Sequence, residues 1–307
     1  MSLPDGVERD YSLARLTTVR AGGTAELFAQ PGSERELVEL LAWAAGDDVA
    51  VEVVGSGSNL LVADEGVAGL VLKLGGELTA IERRETRIVC GGGVRLPSAA
   101  AKTAAWGLTG LEFGVNIPGT VGGAVRMNAN AYGGQLALVL ESVGVCTAAG
   151  PERRLPGELG FAYRRSALRP GEVVASAVFG LEPADPAAVK ATLAEMREKR
   201  RAAQPSGIKT FGSTFKNSDD ERAEGRTAGQ LLEAAGCQGL TIGGARFSPK
   251  HANFVENTGA ARTADVLAVM AAGRRRVHER FGIELEPEVQ VLGEVRWPSD
   301  WDLETGG

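Results

Sequence analysis

The sequence predicts an α+β protein of mixed α/β and α+β regions, and three observations carry that prediction. At 307 residues the chain exceeds one average domain of about 150 residues and has room for two or three. Helical and strand-like patterns alternate irregularly, without the steady strand–helix repeat of a single parallel sheet. Forty-two glycines concentrate in the loops between those patterns, so where they fall carries much of the information.

The elements follow in order. Ser33 and Glu36 form a capping box for a helix whose Leu37, Leu40, Leu41 and Ala44 recur on one face. Gly46 and the Asp47–Asp48 pair end it. Val49–Val54 reads as a buried strand feeding the loop "GSGSNLL". Short strands follow near Leu70–Leu74 and Ile88–Cys90, and Pro97 opens an alanine-rich helix that stops at Gly107. Gly110 to Gly134 is too rich in glycine for a long regular element. Strand patterns return at Val139–Thr147 and Val173–Leu181. Asp185 followed by Pro186 signals a long helix to about Arg201, and a domain boundary is placed there. Beyond it come the loop holding Ser213, an exposed loop at Ser218–Arg226, helices at Thr227–Ala235 and Thr263–Phe281, and a closing strand "IELEPEVQVLG".

Composition narrows the function. A net charge of −6 gives no basic stripe of the kind that binds nucleic acid. The basic runs Arg197–Arg201 and Arg274–Arg276 fall in helical patterns and read as solvated faces. Cys90, Cys146 and Cys237 form no CxxC pair, so neither a disulfide framework nor a metal site is expected, and a reducing compartment fits. "MSLPDGVERDYSL" lacks an apolar signal core and no apolar run approaches membrane length, so a cytoplasmic protein without a membrane partner is expected.

Two glycine loops suggest a ligand. "GSGSNLL" supplies Gly55, Ser56, Gly57, Ser58 and Asn59, small residues that let backbone N–H groups approach an anion. It is no dinucleotide fingerprint, because GxGxxG fails at Leu60, and the sequence has no Gly-Lys pair for a P-loop. Alone, the loop fits a phosphate cradle or a plain tight turn. The second loop, "NIPGTVGGAVRMNANAYGG", carries Ile117, Pro118, Gly119, Gly122 and Gly123. Two nearly charge-free loops of this kind suit a long ligand with a pyrophosphate. FAD fits, with one loop at the pyrophosphate and the other against the ring.

Ser213, in "TFGSTFKNSDD", follows a glycine as an activated serine often does. Acyl transfer would need a base beside it and a third group behind the base. Of the two histidines, His278 lies mid-helix in a basic stretch, and His251 follows Lys250 with no carboxylate placed to orient it. A triad is not expected, and the residues alone make Ser213 a loop hydroxyl satisfying nearby backbone. In the closing strand Ile283, Leu285, Val289 and Val291 share one parity, and Glu284, Glu286, Glu288 and Gln290 the other. Pro287 marks an edge or a break, and periodicity does not choose among the three glutamates.

"GSGSNLLVAD", "GLEFGVNIPGTVGGAVRMNANAYGG", "FAYRRS", "GSTFKN" and "GIELEPEVQVLG" occur in this order and together closely resemble the UDP-N-acetylenolpyruvoylglucosamine reductase family. The resemblance runs from about "LTTVRAGGTAELF" to "VQVLG". It implies FAD-binding subdomains at 1–75 and 76–184, a C-terminal α+β substrate-binding domain at 185–297 and a tail at 298–307. It implies that NADPH reduces FAD. The reduced flavin then passes hydride to the enolpyruvyl ether of UDP-N-acetylglucosamine-enolpyruvate, giving UDP-N-acetylmuramate for peptidoglycan.

By motif, Ser213 becomes the proton donor, Arg164 the catalytic arginine on the substrate carboxylate, and Glu288 the acid that helps polarise the enol carboxyl. Arg165 would face away from Arg164 if the segment is a strand. Substrate contacts are expected from Tyr163, which also reads as a half-buried core tyrosine, from Asn217, and from Tyr132 and Arg126 in the ring-side loop. Lys216 would hold phosphate or aid proton delivery, or be a solvated loop lysine; Gln230, His251 and Asn253 are further candidates. Ser218 stands where the family motif has proline, which puts the local loop shape in question. The 161–185 stretch is too short for the tyrosine-bearing insertion of one subtype, so the shorter type and a monomer are expected. Competing readings are another FAD-dependent oxidase of the same superfamily and a non-catalytic nucleotide-sugar binder.

Overall fold

The computed structural model describes residues 3–299 and 301. They form two compact units, each built from three stretches of chain. The first holds the described residues up to Tyr11, with Ala25–Ser56 and Ala68–Ala202. The second holds Ser12–Thr24, Gly57–Val67 and the described residues from Ala203 on.

The first unit contains two sheets of more than two strands among the described residues. One has four strands in the order Val7–Ser12, Thr24–Ala29, Val67–Leu72, Val51–Val53, with the last two parallel. The helix Glu34–Gly46 starts where Ser33 accepts a hydrogen bond from Glu36 N, and it buries Leu37, Leu40, Leu41 and Ala44 as the periodicity requires. Those residues share a core with Leu27, Leu70 and Leu72. The other sheet is an antiparallel run of five strands, in the order Gly150–Arg154, Leu140–Thr147, Val173–Gly180, Arg87–Gly91, Ile81–Arg84. Helix Leu96–Ala105 and the segment Glu112–Asn116 cover it through Leu96, Ala99 and Phe113, around a core that includes Val143, Val145 and Phe179.

The second unit packs helices Ala228–Ala234 and Thr263–Phe281 against a three-stranded sheet of Thr241–Ile242, Ala245–Phe247 and Val255–Asn257. A parallel pair joins Leu60–Val62 to Gln290–Leu292. The Asp64 carboxylate accepts from Thr263 N (2.9 Å) and Ala264 N (3.0 Å), so an acid of the "GSGSNLLVAD" motif caps the start of the long helix.

The units depart from the linear division expected from the sequence. Helix Pro186–Ala203 belongs with the first unit up to Ala202, because its buried Val189 and Leu193 pack with Ala100, Ala104 and Val115. Two short N-terminal stretches join the second unit, where Val19, Ala21 and Leu61 enter the core. The expected tail at 298–307 lies mostly outside the described residues. Val51–Val53 is an edge strand and not a buried one, leaving Val53 37% exposed. The closing strand shrinks to Gln290–Leu292, yet Ile283, Leu285 and Val289 are buried as their parity predicts. No helix among the described residues is long and apolar enough to cross a membrane.

Candidate functional site

In the first glycine loop, none of the N–H groups from Gly55 to Asn59 donates to a protein acceptor among the described residues. A run of backbone donors left open on small residues suits the oxygens of a phosphate. The chain is fixed around them. On the first unit, Val54 N donates to Leu72 O (2.8 Å) and Lys73 Nζ to Gly55 O (2.9 Å). A side chain at Gly55 would collide with Thr120 Oγ1, so only glycine lets the backbone lie there. On the second unit, Gly57 has φ +62°, a Cβ there would collide with Leu16 O, and Gly57 O accepts from Thr18 N and Oγ1. The residues therefore fit the pyrophosphate of FAD.

The second loop behaves differently. Thr120 caps helix Val121–Arg126 by accepting from Gly123 N, and Val121 N and Gly122 N donate to Val94 O and Gly92 O. The amides of Gly122 and Gly123 are thus spent inside the unit, and Gly122 is there for close approach to Gly92. Ile117 packs against the core of the five-stranded sheet. Gly119 N and Thr120 N donate to no protein group among the described residues and are the donors this loop can offer. Tyr132 stands at its far end with φ +51°, 44% exposed, its hydroxyl accepting from Asn116 Nδ2 (3.0 Å). Asn116 also donates to Met196 O and receives Arg200. Arg126 is exposed in the last turn of its helix.

Arg164 sits on a turn, not a strand. Ala162 and Arg165 exchange backbone hydrogen bonds (3.0 and 3.2 Å), leaving Tyr163 and Arg164 at the tip. Arg164 takes φ +56°, as the third residue of a type II turn does, and this non-glycine left-handed residue marks local strain. Its guanidinium lies 5.4 Å from the Tyr163 ring centroid, and Nη1 donates to Asn130 O at 3.4 Å. Tyr163 is 52% exposed, so it is no core residue, and Arg165 is exposed as well. The loop is closed at its base by ions. Glu172, buried, accepts both Arg154 guanidinium nitrogens (2.8 and 2.8 Å), together with Arg169 Nε (2.8 Å) and N (2.9 Å). The Arg154 guanidinium, helped by Arg169, holds the Glu172 carboxyl down at about 2 against the opposing effect of burial.

Ser213, Glu288 and half of the first glycine loop meet within the second unit. Ser213 follows Gly212, whose φ is +85°, and is half-buried; its hydroxyl makes no hydrogen bond among the described residues. Thr214 N donates to Asn253 O and Glu288 N to Thr214 O, both at 2.8 Å, while Phe215 pairs with Pro287. The buried Asn253 side chain acts as a strand edge: Oδ1 accepts from Phe215 N (2.9 Å) and Nδ2 donates to Phe215 O (2.8 Å). Asn59 Nδ2 donates to Glu288 O (3.1 Å), and a Cβ on Gly212 would lie 3.7 Å from Ser58 O.

The three glutamates that periodicity left equal are now distinct. Glu284 pairs with Arg274 (2.9 Å) and Glu286 with Lys216 (3.1 Å), both on exposed carboxylates, whereas Glu288 is half-buried beside the Ser213 segment.

Other candidates have duties within the unit. Asn217 Oδ1 accepts from Ala228 N at the start of helix Ala228–Ala234, and Gln230 Oε1 accepts from Thr227 N in the capping box of that helix. His251 Nδ1 accepts from Asn253 N, the ring packs edge-on against Phe254, and burial lowers its pKa, so it is a neutral packing group. Burial pushes Cys90 and Cys146 up to about 12, leaving both inert. No group of three metal-ligating side chains occurs among the described residues. Sequence reasoning missed Lys73, Asn253 as a strut, Asn116 and the Arg154–Glu172 pair, all of which depend on partners remote in the chain.

Comparison with known proteins extends this geometry. The FAD binding domain family matches residues 25–155, and the family described as UDP-N-acetylenolpyruvoylglucosamine reductase, C-terminal domain, matches residues 204–292. UDP-N-acetylenolpyruvoylglucosamine reductase 2 of Symbiobacterium thermophilum is 43% identical over 96% of this chain and 94% of its own. The reductase of Rhodospirillum rubrum is 40% identical over 92% and 89%. The crystal structure of UDP-N-acetylenolpyruvylglucosamine reductase from Thermus caldophilus superposes with a TM-score of 0.80 at 36% identity, covering 95% of this chain and 99% of that one.

Proposed function

The chain belongs to the UDP-N-acetylenolpyruvoylglucosamine reductase family of FAD-dependent oxidoreductases, and we propose that Ser213, Arg164 and Glu288 carry its reaction, with NADPH as reductant. The observation behind this reading is the meeting, inside one unit, of the Gly57–Asn59 loop, the Gly212–Phe215 segment and Glu288. Shared core packing of Leu61, Phe215 and Val289 brings three motifs scattered over more than two hundred residues together and sets a hydroxyl, a carboxylate and a glycine loop at one polar corner.

FAD, once reduced, supplies the hydride that adds to the enolpyruvyl carbon beta to the carboxylate. The protein's part is to manage the charge and the proton. Arg164, permanently cationic, binds the substrate carboxylate where negative charge develops. Ser213 donates its hydroxyl proton to the adjacent carbon. A hydroxyl is a weak acid, but a carbanionic centre is a strong enough base to take its proton directly. Glu288 polarises the enol carboxyl from the neighbouring segment. The open amides of Gly55 to Asn59 would hold the FAD pyrophosphate, and Gly119 N is the donor that the second loop would offer the cofactor. Tyr163, Tyr132, Arg126, Asn217 and Lys216 supply substrate contacts, and Gln230 and His251 support them from helix Ala228–Ala234 and the loop packed on it. The reading includes a monomeric, cytoplasmic enzyme of the shorter subtype.

Stopped-flow with Ser213→Ala tests it. NADPH should bleach the flavin at the wild-type rate, while re-oxidation by the enolpyruvyl substrate slows about 100- to 10,000-fold. Unchanged re-oxidation would remove Ser213 from the chemistry. Oxygen consumption with simple alcohols would instead favour an oxidase.

A further inference from the structure

Lys73 stands just beyond strand Val67–Leu72, at the edge of the first glycine loop. Its position is set by backbone register. Val53 pairs with Leu72 in the parallel ladder, Val54 N donates to Leu72 O, and Lys73 N donates to Ala29 O (3.1 Å). The side chain then turns to the loop and donates to Gly55 O at 2.9 Å. The amine is half-buried, and burial lowers its pKa, with no carboxylate among the described residues acting to raise it.

A half-buried ammonium whose protein partner is a neutral carbonyl has given up water without gaining a counter-charge, which is unfavourable unless a ligand supplies one. Next to it are the open N–H of Gly55 and, against the same glycine, the Thr120 hydroxyl, while the open N–H of Ser56 points to the opposite side of its trans peptide. An amide, a hydroxyl and a cation around one glycine make an anion site, and the amide alone carries no net charge to balance a diphosphate.

We propose that Lys73 is a cofactor-binding residue that supplies positive charge to the FAD diphosphate at the Gly55–Ser56 end of the loop. The inference rests on the reading of that loop as the phosphate cradle. It makes Lys73 a source of affinity for the phosphates and gives it no part in hydride or proton transfer.

The test is FAD affinity of the refolded apoprotein, read by quenching of flavin fluorescence without substrate. Lys73→Met should weaken FAD binding about 10- to 100-fold, as expected for one charge-assisted hydrogen bond. Lys73→Arg should stay near wild type. Lys73→Gln keeps a donor for Gly55 O but not the charge, so it should be nearly as weak as Lys73→Met, and it guards against failure of Lys73→Met to fold. Riboflavin, which has no phosphate, should bind all four proteins alike. Wild-type FAD affinity in Lys73→Gln would overturn the proposal and leave Lys73 a loop brace. Ser56→Asp places an anion in the same loop as a control. If it leaves FAD affinity intact, the cradle reading itself is wrong; if it abolishes binding while Lys73→Gln does not, only the role of Lys73 falls.

Discussion

The Ala162–Arg165 turn hangs from an ion network, whereas the Ser213–Phe215 segment is fixed by neutral hydrogen bonds. In the first unit, the loop carrying Arg164 is closed by Arg154, Glu172 and Arg169, with one carboxylate accepting four N–H groups. In the second, Asn253 offers Phe215 both halves of a backbone ladder, and Glu288 N bonds Thr214 O. The two mounts suit the groups they carry. A guanidinium binds through a charge that persists at any working pH, so it tolerates charged supports and a strained turn. A hydroxyl that must give up a proton is better held by partners that never titrate, since a nearby charge that came and went would change its acidity.

Asn253 should therefore be the most sensitive support. Asn253→Leu orphans the buried N–H and C=O of Phe215, at about 1 to 3 kcal/mol each, so a loss of about 2 to 6 kcal/mol is expected. Urea unfolding would measure it, and flavin re-oxidation should slow beyond what the stability loss explains, because Ser213 lies two residues from the broken pair. Asn253→Asp keeps the acceptor for Phe215 N but sets a buried carboxylate oxygen against Phe215 O, so it should lose at least as much. If both variants re-oxidise the flavin at the wild-type rate, neutral mounting of Ser213 is not what fixes the serine.

The ion-held turn comes next. Glu172→Ala leaves Arg154 with Glu152 as its remaining carboxylate, and breaking a buried pair of this kind costs about 3 kcal/mol. The pH signature separates the two regions. The Glu172 carboxyl titrates at about 2 in the folded chain, below its ordinary 4.5. Its stabilisation is therefore complete above about pH 4.5 and is lost as pH falls toward about 2. Unfolding measured across that window should show a slope that Glu172→Gln flattens and Asn253→Leu leaves intact. An unchanged slope in Glu172→Gln would mean that other carboxylates govern acid stability.

The same contrast explains how much could be read from the sequence. Local rules worked where the partner is near. Ser33 caps its helix as spacing predicts, helix Thr263–Phe281 has the expected ends, and Ile283, Leu285 and Val289 are buried by parity although the strand itself is confined to Gln290–Leu292. The "GSGSN" loop was legible as a tight loop of small residues, but by itself it fitted a phosphate cradle or a plain turn equally well. Long-range partners stayed hidden. Asn253 reaches Phe215 across 38 residues, and Arg154 reaches Glu172 across 18. The turn at Arg164 gave no warning either, because "FAYRRS" lacks the Gly, Asn or Asp that normally takes a positive φ. The Asp185–Pro186 signal starts helix Pro186–Ala203, but nothing in its amphipathic pattern says which core its Val189 and Leu193 will fill.

The smallest effect tests how completely the Ser213 segment is satisfied. Thr214 is fully buried between Ser213 and Phe215, and its Oγ1 has no hydrogen-bond partner among the described residues. A buried hydroxyl without a partner costs free energy, so the isosteric Thr214→Val should be neutral or stabilise by up to about 1 kcal/mol, in contrast to the usual penalty for losing a bonded threonine. Its backbone bonds to Asn253 and Glu288 would remain, so flavin re-oxidation should keep the wild-type rate. Thermal unfolding and stopped-flow together decide the point. A destabilised Thr214→Val that re-oxidises slowly would show the hydroxyl at work in positioning Ser213, and the segment would then depend on a side-chain group as well as on its backbone.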